Sequence, residues 1–320
     1  MRRSDFDISD RIRTTDPIDV GDEVMRLYRG LYPGGKVRPM ERAFEDLSAL
    51  YHGKHPDYHP CDTEYHDIQH VLDVTLTMAR LLDGYERGRK GEAALPPVYF
   101  SVGVITALFH DFGYLRRRND RKHRFGAEYT LTHVTRGSHF LRDYLPRIGL
   151  KQYAAVASQL VHFTGYERKV DTIRLDDPLL RRVGEILGTA DVIAQMSDRC
   201  YLEKCRDRLY PEFVLGGLAR RKLPGGKTLV MFRSGSDLVR KTPGFYRNAA
   251  KRLDEQLHSA YRYAEKHFGS RNNPYLEEMN KNVSYAEVMA DAPTEFVLRR
   301  APPSTLLPSV RAYPEDMVIV

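Results

Sequence analysis

The chain has 320 residues, enough to bury a core without staples, and its three cysteines, Cys61, Cys200 and Cys205, are too few and too irregularly spaced for a disulfide framework or a thiolate zinc knuckle. A formal charge of +7 favours anionic partners. The absence of tryptophan, of an RNA-binding signature and of a helix-turn-helix pattern argues against sequence-specific nucleic-acid recognition.

The opening MRRSDFDISDR has no apolar core after its arginines, so neither a signal peptide nor a membrane span is expected, and the expected location is cytoplasmic. Residues 1–38 read as a polar arm with one short helix around Glu23 to Tyr28, closing on the turn Tyr32-Pro33-Gly34-Gly35. Met40 to Leu50 is amphipathic, and the loop after it carries His52, His55 and His59, read as solvated.

Glu64 to Gly84 reads as a helix with Ile68, Val71, Leu72, Leu76 and Leu82 on its apolar side. His66 and His70, four residues apart, are expected one turn above each other on one face. From Val98 to Phe109 the apolar residues Val98, Val102, Ile105, Leu108 and Phe109 recur at helical steps, and the run ends in His110-Asp111. By itself a His-Asp dipeptide more often marks a fraying, solvated helix end. An ionised carboxylate at the buried end of an apolar helix, however, needs a cation or donors to compensate it.

Downstream, Arg116, Arg117, Arg118 and NDRKHR form a basic loop, read either as a solvated turn or as a phosphate-attracting rim. Gly126 to Leu145 is expected to be helical, with His133 beside the stripe of Ala127, Leu131, Val134, Leu141 and Leu145. Lys151 to Phe163 is a further helical stretch, with His162 near its end. Leu179 to Met196 is apolar at Leu180, Val183, Leu187, Ala190 and Ala194, and Asp191 interrupts that face as a second carboxylate in need of a partner. LPGGKT, at 223–228, lacks the leading glycine of a phosphate loop and reads as a turn. Asn248 to Phe268 is expected to be one amphipathic helix, followed by a proline-rich extended tail. GYER occurs at Gly84 and Gly165 without any surrounding repeat.

Helical periodicity dominates, so the fold class is all-α. Within it the order histidine pair, His-Asp pair, histidines, then Asp resembles the HD-domain superfamily of metal-dependent phosphohydrolases over roughly Met40 to Tyr210, implying an HD-domain/PDEase-like helical bundle. Locally it is most similar to the cyclic-nucleotide phosphodiesterase branch. Tyr65-His66, His70 and Asp73-Val74 match that branch's Y-H-N-x-x-H-x-x-D-V signature, with Asp67 in place of asparagine. ALFHDFGYLRRRN keeps His110, Asp111 and Asn119 in register but has Tyr114 for histidine and Arg116 for glycine. GTADVIAQMSD puts Asp191 on the last ligand. The glutamine and aromatic clamp that hold a purine in that branch have no assigned counterpart.

The resemblance implies that His70, His110, Asp111 and Asp191 hold a divalent metal and that His66 is the general acid. It also implies a second metal at His133 and His162, with His123 as a rival ligand, and substrate contacts from Arg117, Arg118 and Asn119. One or two ions of zinc, manganese, iron or magnesium would activate a water to attack a phosphorylated small molecule, most plausibly a nucleotide or cyclic nucleotide. Two alternatives stand beside this reading: a di-iron oxygenase of the inositol-oxygenase type, and a non-catalytic HD-fold binding or signalling module. The implied domain organisation is an N-terminal arm at 1–38, a hydrolase domain at 39–270 and a C-terminal extension at 271–320.

Overall fold

The protein is described from a computed structural model, which covers residues 2–222, 225–291, 298–310 and 313–314. It is built of helices around a central one, α3, with a single two-stranded hairpin among the described residues. Helix α1 (Pro17–Leu31) begins at Asp16, whose carboxylate accepts from the Ile18 N–H, with Pro17 at the first helical position. It is longer than the short helix expected around Glu23 to Tyr28, and its Val20, Val24, Leu27 and Tyr28 are buried, with α1 packed on α3. Helix α2 is Arg38–Tyr51.

Helix α3 (Ile68–Gly88) is 21 residues long, about 31 Å. Nearly every residue from Ile68 to Tyr85 is buried because α1, α4, α7 and α11 surround it. Its N-cap is Asp67, whose side chain accepts from the His70 N–H at 2.9 Å. His66 therefore lies in the loop before the helix and not one turn below His70, as helical spacing suggested: an aspartate at the cap position ends the regular backbone there. Helix α4 (Pro97–Leu108) is buried on all sides from Phe100 onward, which its almost uniformly apolar sequence permits.

After α4 a 3-10 turn at Phe112–Tyr114 redirects the chain. The segment expected to be one helix from Gly126 to Leu145 is broken into a 3-10 turn at Gly126–Tyr129 and helix α5 (His133–Tyr144), and Leu131 is exposed. Gly113 lets α5 dock on the turn: a Cβ there would stand 1.9 Å from the His133 carbonyl oxygen. Helix α6 (Ala154–Leu160) continues as a 3-10 turn at Val161–Phe163. Helix α7 (Pro178–Met196) is capped by Asp177 and crosses α3 and α4.

Helix α8 (Tyr201–Lys204), a π-turn at Cys205–Leu209 and helix α9 (Tyr210–Leu215) lead to the hairpin of β1 (Arg220–Lys222) and β2 (Thr228–Val230), antiparallel with Arg221 opposite Leu229. The turn read at 223–228 is the connection of this hairpin; its first two residues lie outside the described ones. Helix α10 (Gly235–Lys251) ends in a π-turn at Arg252–Gln256, and His258 and Ser259 take left-handed backbone with φ 50° and 53°. That break divides the helix expected from Asn248 to Phe268, and helix α11 (Tyr263–Phe268) resumes after it. It seats against α3 at Gly84, where a Cβ would meet the Tyr263 carbonyl oxygen at 1.9 Å.

Helix α12 (Pro274–Ala290) replaces the first part of the expected extended tail. Asn273 caps it, Pro274 opens it, and Tyr275, Met279, Val283 and Ala286 form a buried stripe facing α7 and α10. Beyond it the tail returns to the body: Thr305 Oγ1 donates to Asp67 Oδ2 at 2.6 Å, and the Tyr313 hydroxyl donates to the Asp62 carbonyl at 2.9 Å. No helix among the described residues is long and apolar enough to cross a membrane.

Candidate active site

Three helix ends meet at the floor of a cavity of about 450 Å³. The first turn of α3 brings His70, the end of α4 brings His110 and Asp111, and the second turn of α7 from its C-terminal side brings Asp191. His70, His110 and Asp191 each offer one ligand atom within 4.8 Å of the others, a geometry that can hold a metal ion. His70 Nε2 lies 3.3 Å from His110 Nε2 and 3.6 Å from Asp191 Oδ1. Asp111 Oδ2 is 3.2 Å from both imidazole nitrogens and is buried without a hydrogen-bond partner.

The tautomer of His110 sharpens the point. Its Nδ1 is 2.8 Å from the Ala107 carbonyl, which can only accept, so Nδ1 carries a proton and Nε2, which faces the two carboxylates, is the nitrogen left to take a cation or a second proton. Acceptors facing one another in a buried site repel unless a cation or a proton lies between them. The electrostatics reflect this. Burial pulls the His110 imidazole down, but the adjacent Asp111 and Asp191 carboxylates outweigh it and push it up to about 9. Burial pushes the Asp111 carboxyl up, and His110, His66 and His70 pull it further down, to well below the usual carboxylate range. The donor set of two imidazoles and two carboxylates suits zinc, manganese or iron, so these residues fit the implied metal.

His133 approaches the other oxygen of the same carboxylate, with Nε2 3.6 Å from Asp111 Oδ1. Its Nδ1 is 2.6 Å from the Thr130 carbonyl, which fixes its proton on that side. Burial lowers its pKa, and the Asp111 carboxylate only partly offsets this. His162, the other expected member of a second site, does not join it. It is buried at the end of α6 and does not line the cavity; its electrostatic neighbours are Arg168 and His139. His123 is held by Asp120 at 3.1 Å and packs on Tyr129, also away from the cavity.

His66 has a partner that was not visible in the sequence. Its Nδ1 is 2.5 Å from Oε2 of Glu212, a fully buried carboxylate on α9 whose Oε1 also accepts from the Tyr65 N–H at 2.7 Å. Burial lowers the His66 pKa, and Glu212 followed by Asp111 more than reverses this, leaving it above the ordinary histidine value. Glu212 lies 146 positions from His66, and the one available signal was a lone carboxylate among Phe213, Val214 and Leu215.

Tyr114, which stands where the phosphodiesterase signature has histidine, lies between two histidines. Its ring stacks on His66 at 4.3 Å and on His133 at 4.5 Å, with interplanar angles of 17° and 21°. The basic loop is elsewhere. Arg117, Arg118 and Asn119 are exposed and do not line the cavity. Past Tyr114 the chain pairs with residues 57–59 instead: the Arg118 N–H donates to the Asp57 carbonyl, the His59 N–H to the Arg116 carbonyl, and the Arg118 guanidinium to the Gly53 carbonyl. Closeness to His110 in the sequence is therefore not closeness to the site. Asp73 also points away, toward Asp198 and Lys204, where burial and Asp198 push it up to about 8.

No family model and no curated protein matches this chain. Among solved structures it is similar to the phosphodiesterase domain of the RhoPDE fusion protein from the choanoflagellate Salpingoeca rosetta, at 15% identity and a TM-score of 0.51, covering 90% of this chain and 95% of that one. The likeness is one of fold, and it extends over nearly the whole of both chains: the helices that carry His70, His110, Asp111 and Asp191 belong to an all-α architecture similar to that of a phosphodiesterase domain.

Proposed function

We propose that this protein is a metal-dependent phosphoester hydrolase in which His70, His110, Asp111 and Asp191 hold the metal and His66 is the general acid. The observation that carries the reading is the convergence of buried acceptors at the cavity floor, with Asp111 Oδ2 lacking any donor. A divalent cation bound there supplies Lewis acidity, polarising a phosphoryl oxygen and making a nearby water acidic.

The chain's own residues do the rest. Glu212 accepts a hydrogen bond from the Nδ1–H of His66 and favours the charged ring, so the opposite nitrogen can give a proton to the departing ester oxygen. Tyr114 fixes the plane of that ring by stacking. Asp111 turns Oδ2 toward His70 and His110 and Oδ1 toward His133, so Asp111 and His133 are the residues that would hold a second cation. An oxygenase of the inositol-oxygenase type calls for two further histidine ligands; of the candidates His123, His133 and His162 only His133 lines the cavity, and His66 is engaged by Glu212, which favours the hydrolase. Elemental analysis followed by a phosphoester panel with and without chelator tests the reading. It stands if chelation abolishes hydrolysis and readdition of zinc or manganese restores it, and falls if the protein takes up no divalent metal.

A further inference from the structure

Away from the His and Asp cluster, the cavity is walled by Leu209, Phe213, Phe232, Leu238 and Phe245. Phe213 and Phe232 lie with ring centroids 5.7 Å apart. The polar side chains on this wall are already engaged within the protein. Gln195, the one amide lining the cavity, holds Asp191 through Nε2, while its Oε1 accepts from the Tyr65 hydroxyl at 3.0 Å. The Thr242 hydroxyl donates to the Leu238 carbonyl and the Thr164 hydroxyl to the Val161 carbonyl. Lys241 donates to the Met231 carbonyl at 2.6 Å and pairs with Asp237 at 2.9 Å. A ligand edge rich in donors and acceptors would give up its water here without finding replacement partners.

The cavity mouth has the same character. Leu131, Tyr166 and Phe245 line it and are exposed, and the hairpin leading into Phe232 exposes Leu229, Val230 and Met231. The Lys241 bond to the Met231 carbonyl ties that hairpin to the cavity wall. Apolar side chains thus line the cavity from beside the metal-ligating floor to its mouth, and its one amide is already taken up by Asp191 and Tyr65.

We infer that the group esterified to phosphate in the substrate is apolar, an alkyl chain or an aromatic ring, so that the enzyme acts on amphiphilic phosphoesters in preference to nucleotides. This rests on the hydrolase reading for its chemistry but on the wall for its specificity.

Two series of probes separate the two. The first is p-nitrophenyl alkyl phosphodiesters from methyl to octyl, set against the p-nitrophenyl ester of thymidine 5′-phosphate, with added zinc or manganese. The second is non-hydrolysable alkylphosphonates of the same lengths, followed by calorimetry. Both kcat/KM and phosphonate affinity should climb with chain length, by up to about fourfold per methylene seated on the wall. The thymidine ester should do no better than the methyl ester. Phe232→Ala and Phe245→Ala should flatten the length dependence; Phe245 is exposed at the mouth, so its variant keeps the fold. A flat series, a length dependence that survives both substitutions, or a thymidine ester that outpaces the octyl ester would overturn the inference while leaving hydrolysis intact. Affinity that rises with phosphonate length in a protein that turns over none of the esters would support the ligand class and sink the hydrolase reading.

Discussion

If His66 is the general acid proposed above, Glu212→Gln isolates the electrostatic half of its role. The side chain keeps its shape and can still accept from the Tyr65 N–H through the amide oxygen, so the loop before α3 stays in place. What disappears is a buried carboxylate 2.5 Å from His66 Nδ1, replaced by an amide N–H₂ group that favours the neutral ring. A hydrogen bond to a charged group contributes about 1.5–3 kcal/mol, and 1.36 kcal/mol is a factor of ten, so the protonation equilibrium of His66 should fall by about 10- to 150-fold. The sign follows from the raised pKa of the parent: His66 is a competent acid below that pKa, and activity is lost as pH rises through it. In the variant that alkaline limb moves to lower pH. The assay is kcat/KM against pH for a substrate with a poor leaving group, alongside metal content. The ratio of parent to variant should be small in acid and widen with pH until it levels off. A loss of the same size at every pH would refute the argument, because it would mean that Glu212 shapes the site without charging His66.

Asp111→Ala should lose bound metal and all hydrolysis, since it removes the carboxylate that faces both His70 and His110; full metal stoichiometry by elemental analysis would remove Asp111 from the ligand set. His162, pulled down to about 4 by burial and the nearby Arg168 and His139, is held neutral in the fold while the unfolded chain takes up a proton below its ordinary pKa. Its stabilising contribution, no more than about 3 kcal/mol, is therefore present above pH 6.5 and lost as pH falls toward 4; His162→Phe should flatten the thermal midpoint over that window without changing metal content. Gly113→Ala drives a Cβ into the His133 carbonyl and should destabilise the protein by about 3 kcal/mol or more in urea titration, with an unchanged midpoint counting against the close docking of α5.

What could be read from the sequence depended on whether the signal was local. Helices α4 and α7 were legible because uninterrupted apolar periodicity implies burial, and burial makes His110, Asp111 and Asp191 conspicuous. The same logic could have found Glu212, a carboxylate in an apolar segment, but nothing local ties it to a histidine 146 positions away. His66 was read onto the helix because its spacing from His70 fits one turn, while the cap at Asp67 is the stronger local signal. Arg117 and Arg118 were read from the basic loop that follows His110 and Asn119 from its register in the signature, and beyond a three-residue turn all three lie outside the cavity lining. Helix α12 was obscured by the prolines around it, although Pro274 behind Asn273 is the pattern of a helix start.

Three histidines at the site, His66, His110 and His133, differ in their Nδ1 partners in the way that the proposed division between ligand and acid requires. His110 and His133 donate Nδ1–H to the carbonyls of Ala107 and Thr130, each three residues earlier. A carbonyl accepts without adding a full charge: the His133 ring is held toward neutral, and the His110 ring, which Asp111 and Asp191 otherwise push up to about 9, would present its Nε2 to a cation that replaces the proton there. His66 instead meets the Glu212 carboxylate, whose full charge favours the protonated ring that an acid needs. Tyr114 lies between the charged and the neutral ring and adds no charge of its own, because burial and the nearby Asp111 hold its hydroxyl well above the ordinary tyrosine range. A histidine at that position could titrate and take up the proton meant for His66. Tyrosine keeps the stack and leaves the choice of acid to Glu212.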